Sequence, residues 1–356
     1  MDIEETHNAA AVRDWETDVS GGPLRMAIVG LGWFGADVGF SAIERSEHCA
    51  VSVVVSGDAA KADRIAENHD LTAGITYDEY HDGQAADAYD AVYVTTPNAR
   101  HLPMVDTAAN LGKHILCEKP MEATLERART MVDVCAAAGV DLMVAYRMQT
   151  TPEIRRLREL IANGAIGTPV HAEGTFTFHI NPGPDTWRVD PSLAGGAALL
   201  DIGVYPINTL RFVLDADPIA LSAHAVSESA GFEDVVDEHV TVNLEFPGGT
   251  TAACHASFNA HPENRLRIVG TNGRIELDPV FDVQADRTLE LDTTDGRLSV
   301  GTNVDEMVEE FDYFACGVLG DTEIEPDGLD GLTDMEILDA TFEAAATGER
   351  IELDHA

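Results

Sequence analysis

Met26-Ala27-Ile28-Val29-Gly30-Leu31-Gly32-Trp33-Phe34-Gly35 decides the fold. The first four residues are apolar without a polar break, as in a strand buried on both faces. A GxGxxG pattern follows at once, at Gly30, Gly32 and Gly35, and a helix is expected from there to about residue 45. Between a strand and a helix this spacing reads as a dinucleotide site. Gly30 makes the tight turn, Gly32 lets backbone approach a pyrophosphate, and Gly35 lets helix and strand pack closely. The helix N-terminus, with Trp33 and Phe34 in the loop, then faces the phosphate charge. The competing reading is a plain junction with convenient glycines.

The surroundings favour the dinucleotide site. Apolar, β-branched runs at 51–55, 91–95, 114–117 and 141–145 read as strands. Helical patterns at 61–69, 102–111 and 124–138 separate them. Such alternation predicts an α/β domain over 25–148, a Rossmann-type doubly wound parallel sheet. The texture changes after Tyr146. A helix is expected at 152–163, then a polar–apolar alternating strand at 170–180, then a mostly helical stretch at 195–214. Strand patterns recur from 219 to 300, with 239–246 and 250–258 joined through Pro247-Gly248-Gly249 as a hairpin. Helices are expected at 305–319 and 333–347. This predicts a C-terminal α+β domain over 149–356 with a large, mostly antiparallel open sheet. Residues 1–24 read as an arm ending in Gly21-Gly22-Pro23. A chain of 356 residues fits two domains.

Composition excludes several classes. Asp and Glu number 63 against 22 Lys and Arg, a net charge of −41. That repels nucleic acid and anionic membranes alike. The acids are scattered and form no tail, which reads as a halophilic, carboxylate-rich surface. Molar salt cuts the Debye length to about 3 Å and removes most of the self-repulsion. An acidic chain built to bind a basic partner is the rival, but such charges usually come in blocks. Only Lys61, Lys113 and Lys119 are lysines, so each invites a functional question. The five cysteines are scattered with no CxxC, which argues against a disulfide framework or a zinc site and fits a reducing cytoplasm. Residues 1–22 lack the apolar core of a signal peptide, and no apolar run is read as approaching the ~20 residues of a membrane span.

The tip of the second strand selects the nicotinamide. An acid there would hold a ribose 2′-hydroxyl. Here the tip is Ser56-Gly57, with Lys61 and Arg64 on the next helix turn. A hydroxyl with cations suits a 2′-phosphate, so the expected cofactor is NADP. Asp58 is the counter-indication, since it stands close enough to reach a ribose.

Three further segments carry a family resemblance: Thr95-Thr96-Pro97-Asn98-Ala99-Arg100-His101, Cys117-Glu118-Lys119-Pro120, and the run from Gly195-Gly196 to Asp201 and Tyr205. With the glycine turn they closely resemble the glucose–fructose oxidoreductase, inositol dehydrogenase and MocA family, from Arg25 nearly to the end. Ser56 with Lys61, Trp187-Arg188, and Asp201 with Tyr205 look like its aldose dehydrogenase branch. Inositol dehydrogenases usually show His at the position of Tyr205. The resemblance implies NADP-dependent oxidation of an aldose at C1, foremost D-xylose to D-xylonolactone. It implies cofactor contacts from Thr95, Pro97, Asn98, His101, Glu118 and Lys119. It implies a sugar site drawing on Lys119, Arg147, His179, Trp187, Arg188, Asp201 and Tyr205. It also implies a homodimer or homotetramer formed through the second domain's sheet.

The chemistry agrees. Oxidising a hemiacetal needs a base for the hydroxyl proton, and a phenol at its ordinary pKa of about 10 is a poor one. An ammonium nearby lowers that value, and Lys119 is the candidate for Tyr205. Asp201 lies four residues before Tyr205, on the same face of a regular helix. Trp187 offers an apolar face to a sugar ring and Arg188 offers donors. Tyr205 as a buried helix tyrosine, Lys119 as a surface residue, Asp201 as a local cap, and His179 in an exposed turn remain open at this point. So do another aldose, a trans-dihydrodiol or inositol-type substrate, and an NADP-binding redox sensor, although a sensor has no need of a base.

Overall fold

The computed structural model describes residues 12–16, 19, 22–183 and 186–354, in two compact units. The first takes in Trp15–Arg147 and Met307–Met335. The second takes in Met148–Glu306 and Glu336–Ala356, with the described residues up to Asp14. Most of the arm read over 1–24 lies outside the described residues.

The first unit is built on six strands: β1 (Leu24–Val29), β2 (Cys49–Ser56), β3 (Ala73–Thr76), β4 (Ala91–Val94), β5 (His114–Cys117) and β6 (Leu142–Val144). They pair in the order β3-β2-β1-β4-β5-β6, all parallel. Strands buried on both faces require the aliphatic runs seen in the sequence, and Met26, Ile28, Val53, Val54 and Leu116 are all fully buried. The order reverses between β1 and β4, where doubly wound sheets bind ligands. The helix after β1 opens as a π-turn at Phe34–Gly39 and continues as α-helix at Phe40–Arg45. The sequence reading missed β3 and the short helix Tyr77–His81. Four residues are too few to show a period, and one of them is Gly74. A Cβ at Gly74 would lie 2.3 Å from the Ala62 carbonyl oxygen of the helix Ala59–Asn68.

The first unit is not one continuous stretch of chain. The helix Glu306–Gly320, read as part of the second domain, has Met307 onward clustering with the first unit. Phe311 meets Tyr93 edge to face at 5.0 Å. The Asp312 carboxylate accepts the Ser46 hydroxyl and the amides of Glu47 (3.0 Å) and His48 (3.2 Å), closing the turn into β2. No local pattern announces such a return, because its partners are more than 260 residues away.

In the second unit, β7 (Pro169–His179), β8 (Ala220–Val226), β9 (His239–Glu245), β10 (Thr251–Ser257), β11 (Asn259–Gly270), β12 (Gly273–Leu277), β13 (Arg287–Thr293), β14 (Gly296–Thr302) and β15 (Ile351–Glu352) form one sheet. Its order is β14-β13-β12-β11-β7-β10-β9-β8-β15. Only the pairing of β7 with β10 is parallel, so the expected mostly antiparallel open sheet is present. One face is covered by helical segments, and Gly174 in β7 makes room for Pro206, whose Cβ would lie 2.4 Å from a Cβ there. The segment read as helical over 195–214 forms a π-turn, Leu199–Gly203, running into the α-helix Val204–Leu214. Pro191–Leu214 is long and apolar enough, by length and composition only, to span a membrane. Its apolar window is 89% buried inside the protein, as a core helix is.

Candidate active site

The first unit presents the glycine turn at the carboxyl end of β1. Gly30 has φ +109°, a conformation that favours glycine, and a Cβ there would lie 2.9 Å from the Thr95 backbone. A Cβ at Gly35 would lie 2.2 Å from the Gly30 oxygen. Among the described residues, nothing beyond its own chain neighbours comes within 4 Å of where Gly32 would carry a Cβ, so its backbone faces open space. The three glycines therefore fit the pyrophosphate of a dinucleotide. Trp33 is 68% exposed beside the turn and meets Phe34 edge to face at 6.0 Å.

The rim of β2 carries Ser56, Asp58 and Lys61. Asp58 caps the helix Ala59–Asn68, its carboxylate accepting the Lys61 amide at 3.1 Å. Its own amide donates to Ser56 Oγ at 3.1 Å. One oxygen of that carboxylate is thus engaged at a helix start. The Lys61 ammonium donates to the Leu31 carbonyl within the glycine turn, so it lies over that turn. Arg64 is exposed on the same helix.

Two loops follow β4 and β5, and His101 ties them together. The fully buried ring contacts the Thr96 carbonyl through Nε2 at 2.8 Å and the Met121 carbonyl through Nδ1 at 3.2 Å. Burial lowers its pKa. These contacts fix the Thr95–Pro97–Asn98 loop against Lys119-Pro120, whose peptide bond is cis. Tyr93, an aromatic in an otherwise aliphatic strand, donates its hydroxyl to Glu118 at 2.5 Å. Desolvation pushes the Glu118 carboxyl up, against the opposing pull of Lys119, Tyr93 and Arg147. Lys119 is half-buried and Arg147 buried. Sequence reasoning missed Tyr93, whose only signal was that polar handle inside a buried strand.

The second unit carries the other candidates. Asp201 accepts a charge-assisted hydrogen bond from Arg188 Nε at 2.9 Å, and the Arg188 guanidinium sits 4.7 Å above the Trp187 ring centre. Tyr205 is buried, its ring packed on Phe176 (5.6 Å) and Phe281 (5.9 Å). Asp201 lies in the π-turn and Tyr205 in the α-helix, so the regular helical face expected for the pair does not apply. His179 is exposed at the end of β7. Lys119 and Arg147 thus belong to the first unit, and His179, Trp187, Arg188, Asp201 and Tyr205 to the second. Sequence reasoning also missed Asp237, whose buried carboxylate accepts the amides of Ala197 and Leu199, both at 2.9 Å, where that helix begins. Burial raises the Asp237 carboxyl pKa, opposed by those two amides.

Comparison with known proteins follows this geometry closely. Residues 24–146 match the model of an oxidoreductase family with an NAD-binding Rossmann fold, and 154–276 match the GFO/IDH/MocA C-terminal domain. The chain belongs to the GFO/IDH/MocA oxidoreductase family. A similar member is the D-xylose 1-dehydrogenase [NADP(+)] of Haloarcula marismortui, 45% identical, the match covering 99% of this chain and 100% of that protein. The D-xylose 1-dehydrogenase (NADP(+)) 2 of Haloferax volcanii is 32% identical, over 93% and 100% of the two chains. Among solved structures, the aldose–aldose oxidoreductase of Caulobacter crescentus, complexed with glycerol, superposes with a TM-score of 0.88. It is 29% identical and covers 93% of this chain and all of that one. The matches to both domain models place the glycine turn in the family's Rossmann domain and Asp201 with Tyr205 in its C-terminal domain.

Proposed function

We propose that this chain is an NADP-dependent D-xylose 1-dehydrogenase that oxidises the C1 hydroxyl of the sugar to D-xylonolactone. The observation that carries this reading is the end-to-end 45% identity to the Haloarcula enzyme. The commitment of Asp58 to its helix, which leaves Ser56 and Lys61 at the rim of β2, supports NADP. When bound, NADP⁺ supplies the hydride acceptor. Tyr205 takes the proton of the C1 hydroxyl, and the Lys119 ammonium stabilises the phenolate that makes this possible. Asp201 and Arg188 hold sugar hydroxyls through their charge-assisted pair, and Trp187 lies against the ring. Arg147 and His179 are assigned supporting contacts with the sugar.

The same reading places the enzyme in the cytoplasm, where its buried, free cysteines stay reduced. It makes the working form a homodimer or homotetramer joined through the face of the nine-stranded sheet that bears His171, Glu173, Asn243 and Thr251. Light scattering in high salt tests the assembly.

NADPH formation across a panel of aldoses, a trans-dihydrodiol and an inositol, in molar KCl, tests the activity. The highest kcat/KM is expected with D-xylose and NADP⁺. A higher value with a dihydrodiol or inositol, or no turnover with any of them, overturns the assignment.

A further inference from the structure

Asp237 lies just before β9, and three consecutive amides end on it from about 40 residues earlier in the chain. Its carboxylate accepts from Ala197 and Leu199, and its backbone carbonyl accepts from Ala198 at 3.3 Å. These are the donors a helix start leaves without intrahelical partners, and a carboxylate there also complements the positive end of the helix. No side chain within the segment itself caps the π-turn. Asp237 is fully buried, and a Cβ on Gly196 would fall 2.8 Å from Phe342 and 3.4 Å from the Asp237 carboxylate. The cap is therefore delivered by a strand and enclosed by packing. The first residues it fixes are four before Asp201 and eight before Tyr205. The Asp201 amide in turn donates to the backbone oxygen of Ala197, a residue that Asp237 holds, at 3.1 Å.

We propose that Asp237 is a positioning residue for the reaction: by anchoring Ala197–Leu199 to the sheet it sets the depth and rotation of the π-turn, and so the placement of Asp201 and Tyr205 on the sugar. This rests on the proposed roles of Asp201 and Tyr205. A shift of about 1 Å in a reacting group costs on the order of 100-fold in rate. Glu238, the next residue, holds a different loop through Glu228, Ser229 and Asn259, so neighbouring acids divide the work.

The experiment is a double-mutant cycle of Asp237→Asn with Tyr205→Phe in molar KCl, reading kcat on D-xylose, NADPH affinity and thermal midpoint. Asp237→Asn is expected to lower kcat by about 10- to 100-fold with NADPH affinity unchanged, and to add little in the Tyr205→Phe background. Near-normal kcat, or full losses that add in the double variant, overturns the proposal. If Asp237→Asn does not fold, Asp237→Ser, which keeps one acceptor, replaces it. Failure of both to fold makes Asp237 a folding determinant and also overturns the proposal. Tyr205→Phe with normal kcat instead overturns the functional reading, so the two failures are distinct.

Discussion

Arg188 Nε donates to Asp201 Oδ2 at 2.9 Å while its guanidinium lies over Trp187, so one arginine orients both a carboxylate and an indole. Asp201 is 15% exposed and Arg188 37%, so the pair keeps one side open to solvent. Hydrogen bonds to charged groups contribute about 1.5–3 kcal/mol. Arg188→Ala is therefore expected to raise the KM for D-xylose about 10- to 100-fold and leave NADP affinity unchanged. Arg188→Lys restores little, because an ammonium neither stacks on Trp187 nor matches the fork geometry. Steady-state kinetics of the two variants decide this, and unchanged KM values remove the pair from the sugar site.

Lys119→Ala and Tyr205→Phe are each expected to lower kcat by about 10²- to 10⁴-fold, the usual range for a lost acid–base group. NADPH titration by fluorescence should give near-normal affinity in both. If both retain normal kcat, proton transfer runs through other groups.

Ser56→Asp combined with Lys61→Ala should shift preference from NADP toward NAD, with NADP kcat/KM falling about 100-fold. Asp58→Ala is the informative control. As a helix cap, Asp58 should cost about 1 kcal/mol of stability when removed and leave cofactor preference unaltered. Loss of residual NAD turnover in Asp58→Ala would show that its carboxylate reaches a ribose after all.

Glu238 gives the protein an acid-side limit. Burial pushes its carboxyl up, but Ser229, Asn259 and the amides of Ser229 and Glu228 outweigh this and hold it at about 2, below the ordinary 4.5. The folded value is depressed, so its stabilisation is full above the unfolded value and is lost as pH falls from about 4.5 through about 2. Denaturation midpoints measured against pH should fall more steeply over that window in the native chain than in Glu238→Gln. Parallel curves contradict this.

Salt should stabilise the whole chain. Raising KCl from about 0.1 M to about 1 M shortens the Debye length from about 10 Å to about 3 Å and screens the mutual repulsion behind the net charge of −41. The thermal midpoint is expected to rise steadily with KCl, and a flat or falling curve counts against a high-salt design.

The sequence by itself determined what local pattern can carry. Four apolar residues running into Gly30, Gly32 and Gly35 specified the Rossmann unit, because a buried parallel strand and a phosphate turn each impose their own residue types at fixed spacing. The alternation of β9 and β10 specified the second sheet for the same reason. The tertiary structure alone decided which polar groups meet. Asp58 stood in the sequence as a counter-indication to NADP, and only the fold shows its carboxylate at a helix start. Asp237 read as one acid among 63, yet it organises a helix start some 40 residues away. Asp312 returns across more than 260 residues to close a turn of the first unit. A buried carboxylate is satisfied by whichever donors the fold delivers, and sequence spacing does not record that delivery.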